Sequence, residues 1–228
     1  MIYVASDLHG EYELYLTLLD KLKLGAGDTL FLLGDYVDRG DAGDKILLDI
    51  MDRENVVPLI GNHDYTAAFL LSALNRGVAA EDMAKLRPIL ENWLGDGGDV
   101  TLEAFRRLSF EKRERIFAFV DKMPAYREIT VGGVEYFLCH AGIKNYDEGR
   151  AIASYDRTDF IYGRTDYSKP LISGKTLVTG HTPTALIDPD SRGRIFKSDG
   201  HIAVDCGAVF GLGLGCICLD NMREYYVK

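Results

Sequence analysis

The sequence predicts an α/β fold of two sheets with helices outside them, and three observations predict it. Short apolar runs alternate with helix-period runs through the first part of the chain. A middle stretch is almost wholly helical in pattern. The last part is a series of short β-rich runs separated by glycines. The 228 residues, 47% of them hydrophobic, suffice for a real core in one domain spanning 1–228.

The elements follow in order. Ile2 to Ser6 is a short apolar strand. Leu14, Leu18, Leu19 and Leu22 fall on one helical face, and Gly25 and Gly27 are expected to close that helix. Thr29 to Leu33 forms the next strand. Ile46, Leu47 and Ile50 mark a second helix, and Val56 to Ile60 a third strand. From about 66 to 123 the period is helical throughout: Leu86, Leu90, Trp93 and Leu94 share one face, and Ile116, Val120 and Met123 another. Ser109 is a good N-cap for the last of these helices and Pro124 stops it. This stretch is expected to be a helical insertion or cap. Glu135 to Cys139 and Lys175 to Thr179 are then buried strands. Arg194–Lys197, Ile202–Cys206, Gly215–Leu219 and Tyr225–Val227 suggest an antiparallel meander.

Bulk properties narrow the function. A formal net charge of −9 disfavours nucleic-acid binding, which needs a basic surface. No run of about 18 apolar residues is present, so no membrane span is expected. Met1 to Val4 lacks a charged leader, and the chain is expected to be cytoplasmic. Cys139, Cys206, Cys216 and Cys218 fit reduced core thiols; Cys216 and Cys218, two apart in a strand, point to one face. Nothing in the sequence marks an oligomer interface.

The polar residues are not scattered. Each of five strands runs into a cluster: Asp7-Leu8-His9-Gly10, Gly34-Asp35-Tyr36-Val37-Asp38-Arg39-Gly40, Gly61-Asn62-His63-Asp64, His140-Ala141-Gly142 and Gly180-His181-Thr182. In open α/β sheets, sites form beyond the carboxyl ends of strands, so the five clusters are expected to meet on one rim. Four of the five histidines lie in them, beside Asp or Asn oxygens, a donor set suited to first-row divalent ions. His201, outside the clusters, is expected to be an ordinary surface or loop residue. The glycines let the backbone turn sharply after each strand.

These five motifs, in this order, resemble the calcineurin-like metallophosphoesterases, and within them the chain is similar to the phosphoprotein phosphatase family in its small bacterial or phage-type form. The resemblance implies a central β-sandwich of mixed sheets flanked by helices. It implies two divalent metal ions, manganese first with iron or zinc as alternatives. Asp7 and His9 would bind the first ion, Asp35 would bridge both, and Asn62, His140 and His181 would complete the second. A hydroxide between the ions would attack phosphorus. Arg39 and, from a shorter motif, Arg164 would hold the phosphoryl oxygens. His63, oriented by Asp38, would be the general acid. Ser6 where the family usually has glycine, Asp64 in place of Glu, Ile60 in place of arginine and His-Ala-Gly instead of His-Gly-Gly set the chain apart from the eukaryotic branch.

The resulting expectation is a metal-dependent phosphomonoesterase of the protein serine/threonine phosphatase type, acting on a phosphorylated protein or a small phosphate ester. The alternative is a dinucleoside polyphosphate hydrolase; Asp38 leans against its symmetrical type, which commonly lacks that residue. A phosphodiesterase or nuclease follows, disfavoured by the acidic balance, and then a non-catalytic binding protein, disfavoured because every expected ligand is present. Substrate specificity is expected from the helical segment around Trp93 and from the loop 145–169, which carries Arg150, Arg157 and Arg164.

Overall fold

The computed structural model describes residues 1–228, the side chain of Ala80 apart. The chain begins with β1 (Ile2–Ala5), α1 (Tyr12–Leu22), β2 (Thr29–Leu32), α2 (Gly43–Met51) and β3 (Val56–Pro58). The three strands are neighbours in one sheet: β1 pairs parallel with β2, and β2 with β3. Pro58 lacks an N–H for the ladder, and β3 accordingly lies at the sheet edge. Helix α1 ends at Lys23, which takes the left-handed conformation and donates its N–H to Leu19 O. The turn expected of Gly25 and Gly27 is thus made two residues earlier by a lysine.

The helical stretch holds α3 (Asn62–Arg76), α4 (Ala80–Trp93), α5 (Asp99–Arg106) and α6 (Phe110–Lys122). It starts at Asn62, four residues before the expected boundary, because the polar cluster after β3 is itself the first turn of α3. Ser109 caps α6 by accepting from Lys112 N, as expected of that residue.

The β-rich part comprises β4 (Tyr126–Val131), β5 (Val134–Cys139), β6 (Thr176–Thr179), β7 (Phe196–Ser198), β8 (His201–Ala203), β9 (Leu214–Cys218) and β10 (Glu224–Val227), with short helices α7 (Arg157–Ile161) and α8 (Thr184–Ile187) between β5 and β7. The expected meander is divided between two sheets. β7 and β8 join the second sheet, in order β4-β5-β6-β8-β7, whereas β9 and β10 return to the first, in order β10-β9-β1-β2-β3. β8 runs parallel to β6, and β9 antiparallel to β1. The strand β4, an edge partner of β5, was not anticipated; its burial is broken and its outward residues are polar.

Period-two alternation then builds the layers. Val4, Phe31 and Ile217 from the first sheet meet Leu138, Val178 and Ile202 from the second in one apolar layer between the sheets. Their neighbours along the strands, Tyr3, Ala5, Leu30, Leu32, Cys216 and Cys218, face the helix side. Each such fully buried side chain contributes roughly 1.5–3 kcal/mol. The two mixed sheets flanked by helices are the fold the sequence led us to expect. The four cysteines are buried and unpaired among the described residues. His201 departs from expectation: it is 1% exposed within β8 and donates from Nε2 to the Lys169 carbonyl at 2.7 Å. Alternation with Ile202 puts it on the other face of β8, against the Tyr167 ring at 5.3 Å, where Nε2 has the Lys169 carbonyl and Nδ1 has no hydrogen-bond partner.

Candidate active site

Parallel pairing carries the carboxyl ends of β1, β2 and β3 to one side, and the parallel pair β5 and β6 delivers His140 and His181 to the same rim. The chain must turn abruptly there. Six of the nine non-glycine residues with positive φ are Asp7, His9, Asp35, Asp38, Arg39 and His181. Such conformations cost free energy and persist only where surroundings over-determine them. Here backbone bonds do so: Asp7 N to Gly34 O, His9 N to Asp35 O, Gly40 N to His9 O and Gly180 N to His140 O span 2.8 to 3.1 Å. Gly34 (φ 107°) abuts Gly61, leaving no room for a Cβ.

Asp64 ties the loops from beneath. Its carboxylate accepts from Asp35 N at 2.7 Å, Tyr36 N at 2.8 Å and Gly61 N at 3.0 Å. Burial, then Asp35, push its pKa up to about 7, while the three N–H donors pull the other way. The sequence marked Asp64 only as a departure from a family pattern; the structure makes it the strut under Asp35. Ser6 is buried and its Oγ has no hydrogen-bond partner. A side chain at Gly180 would overlap Ser6 and the Asp7 carboxylate, so the two loops touch through glycine.

Two imidazoles have their tautomers set by backbone carbonyls. His9 Nδ1 donates to Val37 O at 3.0 Å and His140 Nδ1 to Leu33 O at 2.9 Å. Their Nε2 lone pairs therefore face inward, 3.6 and 3.3 Å from Asp35 Oδ2. Asn62 Oδ1 lies 2.8 Å from His140 Nε2 and 2.9 Å from His181 Nδ1. Lone pairs and a carboxylate converging in this way need a cation among them. The electrostatics favour positive charge there: burial opposes charge on His140, but Asp35, Asp7 and the Leu33 carbonyl together lift its pKa to about 9, so in the absence of an ion a proton takes the place of the cation on Nε2. Burial and then His140 push His181 down to about 3, so that ring stays a neutral donor. Asp35, His140 and His181 place ligand atoms within 4.8 Å of one another, as do His9, Asp35 and His63. Asp35 is common to both groups. Asp7 stands slightly apart, both oxygens accepting from His181 N at 3.1 and 3.0 Å.

His63 is turned differently. Its Nδ1 donates to Asp38 Oδ2 at 2.7 Å, so Nε2 points to the mouth, 3.0 Å from Arg39 Nη2. Burial opposes charge on this ring, but Asp35 and Asp38 outweigh it and raise its pKa. Arg39 also reaches His9 Nε2 at 2.9 Å and Asp96 Oδ1 at 3.2 Å. Arg164 lies exposed beside the loop that carries His181, 3.4 Å from Thr182 Oγ1. The other loop arginines face elsewhere: Arg150 packs on the Tyr155 ring, and Arg157 donates to the carbonyls of Val120 and Met123.

Residues 1–210 match the family described as calcineurin-like phosphoesterase. The chain belongs to that family. Among curated proteins it is similar to the symmetrical bis(5'-nucleosyl)-tetraphosphatase of Delftia acidovorans, 30% identical over 100 residues; the match covers 41% of this chain and 36% of that protein. The chain thus spans about a third of that relative's length. A solved candidate diadenosine tetraphosphatase superposes with a TM-score of 0.66 over 99% of this chain and 92% of its own, at 17% identity. A protein serine/threonine phosphatase from Saccharomyces cerevisiae gives 0.61 over 100% and 79%, at 16% identity. At these identities the two structures establish the shared fold. Among the described residues no helix is long and apolar enough to cross a membrane.

Sequence reasoning missed three contributors. Trp93 is expected on an apolar helix face in a segment that sets specificity, yet its indole donates to Asp38. Thr101 was not singled out. Asp96 lies in Gly95-Asp96-Gly97-Gly98, a glycine cluster within a helical pattern; that interruption was the available signal.

Proposed function

We propose that the protein hydrolyses small phosphoanhydrides of the dinucleoside polyphosphate class at a centre of two divalent ions. The observation that carries this is the mouth of the site. Arg39 lies against His9 and His63, Arg164 lies against Thr182 next to His181, and the rings of Phe210 and Tyr162 are 60% and 43% exposed. The Arg39 guanidinium carbon is 6.0 Å from the Phe210 ring centroid, and Tyr162 is two residues from Arg164. Several phosphoryl groups joined to flat apolar bases suit that surface. The activity named for the Delftia relative supports the same class.

In this reading Asp7, His9 and Asp35 hold one ion, and Asp35, Asn62, His140 and His181 the other. Manganese is the proposed ion; the nitrogen and oxygen donors also suit iron or zinc. Bound there, the ions supply Lewis-acid polarisation of the phosphoryl group and an acidified water as nucleophile. Arg39 and Arg164 hold the phosphoryl oxygens through planar donor forks. His63 keeps its Nδ1 proton on Asp38 and gives its Nε2 proton to the leaving oxygen as that oxygen's bond to phosphorus breaks.

One observation favours a second reading. The His63–Asp38 pair is set to donate a proton from Nε2 once a substrate draws the Arg39 donor away from that nitrogen, and an alkoxide needs such a donor far more than a nucleoside phosphate does. A phosphomonoesterase acting on alkyl or phosphoseryl esters is the second reading. The manganese-loaded protein should be compared on diadenosine tetraphosphate and a phosphoserine peptide. We expect kcat/KM on the dinucleotide to be higher by at least about tenfold, a difference of roughly 1.4 kcal/mol in transition-state binding. A preference for the peptide selects the second reading, and no turnover of either overturns both.

A further inference from the structure

The helical stretch meets the proton-donating side of the site through one buried carboxylate. Asp38 is 0% exposed. Its Oδ2 accepts from His63 Nδ1 at 2.7 Å and from the Trp93 indole Nε1 at 2.8 Å. Its Oδ1 accepts from Thr101 Oγ1 at 2.7 Å, and the same hydroxyl accepts from Asp38 N at 2.8 Å. Trp93 and Thr101 are themselves buried. Trp93 is the last residue of α4 and Thr101 lies in the first turns of α5. Between them the helix is broken at Asp96 and Gly97, which leave helical backbone angles, and this break folds both side chains onto one carboxylate. Gly98 packs on the indole, where a Cβ would overlap the ring.

We propose that Trp93 and Thr101 are positioning residues of the hydrolytic reaction. They fix the two oxygens of Asp38, Asp38 fixes the plane of His63, and the Nε2 proton is thereby held toward the leaving oxygen. A buried indole needs an acceptor somewhere, and core packing alone would be served by any carbonyl. Here two donors from two helices lock both oxygens of the carboxylate that orients the acid. Charge-assisted bonds of this kind are the strong ones, and placement of a group to within fractions of an ångström decides how well it transfers a proton. The inference rests on His63 as the proton donor and not on which phosphate compound is the substrate.

The test uses the full manganese-loaded chain with an alkyl phosphate and with p-nitrophenyl phosphate, whose leaving group needs little protonation. Trp93→Phe, Thr101→Val and Thr101→Ser are made in the wild-type chain and in His63→Asn. Trp93→Phe and Thr101→Val should each lower kcat on the alkyl phosphate about 10-fold or more. KM and bound metal should hold, and the loss on p-nitrophenyl phosphate should be smaller. Thr101→Ser should retain turnover. With His63→Asn already present, neither Trp93→Phe nor Thr101→Val should cost more. Equal losses on both substrates, or a loss that persists with His63→Asn, overturns the proposal in favour of a packing role. Should Trp93→Phe fail to fold, the Thr101→Val and Thr101→Ser pair decides alone. If His63→Asn itself lowers both substrates equally, the proton-donor reading has failed, a result distinct from a failure of the clamp.

Discussion

At the floor of the site Asp35, Asp38 and His140 are buried and held by backbone groups and by other buried side chains, whereas at the mouth Arg39 and Asp96 side chains are 28% and 60% exposed and bonded to one another. The floor is a product of strand pairing and positive-φ turns, and it moves only if the sheets move. The mouth is held by contacts that water and salt can replace. The proposed hydrolysis would use both kinds: a fixed frame where charge must be organised before reaction, and adaptable groups where a substrate must enter and leave.

The comparison makes the floor the place of largest effects. Asp35→Asn removes the one charge shared by both ligand groups, so the protein should retain one ion or none. Activity should fall by well over the roughly 10–100-fold typical of an outer-shell change. Metal content by elemental analysis checks this, and two retained ions would count against Asp35 as the bridge. His63→Asn comes next. It should leave both ions bound and lower kcat on an alkyl phosphate by about 10²–10⁴, with much less effect on p-nitrophenyl phosphate. Normal turnover of the alkyl ester would remove His63 from the mechanism.

Arg39 lies between the two regions, its backbone at φ 70° in the floor and its guanidinium in the mouth. Arg39→Lys keeps the charge and loses the fork that spans His9, His63 and Asp96. A fall in kcat/KM of about 10²-fold is expected, comparable to loss of one preorganised donor. Arg164→Lys should cost several-fold less, since the one side-chain hydrogen bond of Arg164 among the described residues is the 3.4 Å bond to Thr182. Equal losses would show that the mouth is as rigid as the floor.

The floor was legible in the sequence because its requirements are local. A polar cluster at a strand end, with glycine beside it, is visible without knowing what it faces, and all ten residues singled out lie on or beside one rim. The two-sheet architecture was legible from period-two runs, but the partners of β9 and β10 were not. The short run Leu214–Cys218 is apolar on both faces, so nothing in it distinguishes a place beside β1 from one beside β8. His201 was misplaced for a related reason, since one histidine in a three-residue strand carries no periodicity of its own. Trp93, Thr101 and Asp96 were hidden because their role depends on a helix break bringing positions 93, 96 and 101 back over a loop some sixty residues earlier. Long-range closure of that kind leaves only a glycine cluster as its trace.

Asp96 gives the smallest expected effect and the sharpest test of the mouth. Its carboxylate accepts from Arg39 Nη2 at 3.2 Å and stands 3.6 Å from His63 Nε2, where an anionic substrate must approach. An exposed pair of this type contributes at most about 1 kcal/mol, so Asp96→Asn should leave thermal stability nearly unchanged. The negative charge competes with phosphoryl oxygens for Arg39, and its removal should therefore lower KM by roughly two- to fivefold at low salt, with the gain fading as salt screens the site. A KM that rises instead would mean that Asp96 holds Arg39 in its working position. The mouth would then be built as the floor is, with the Gly95–Gly98 break supplying a fixed carboxylate and not a displaceable one.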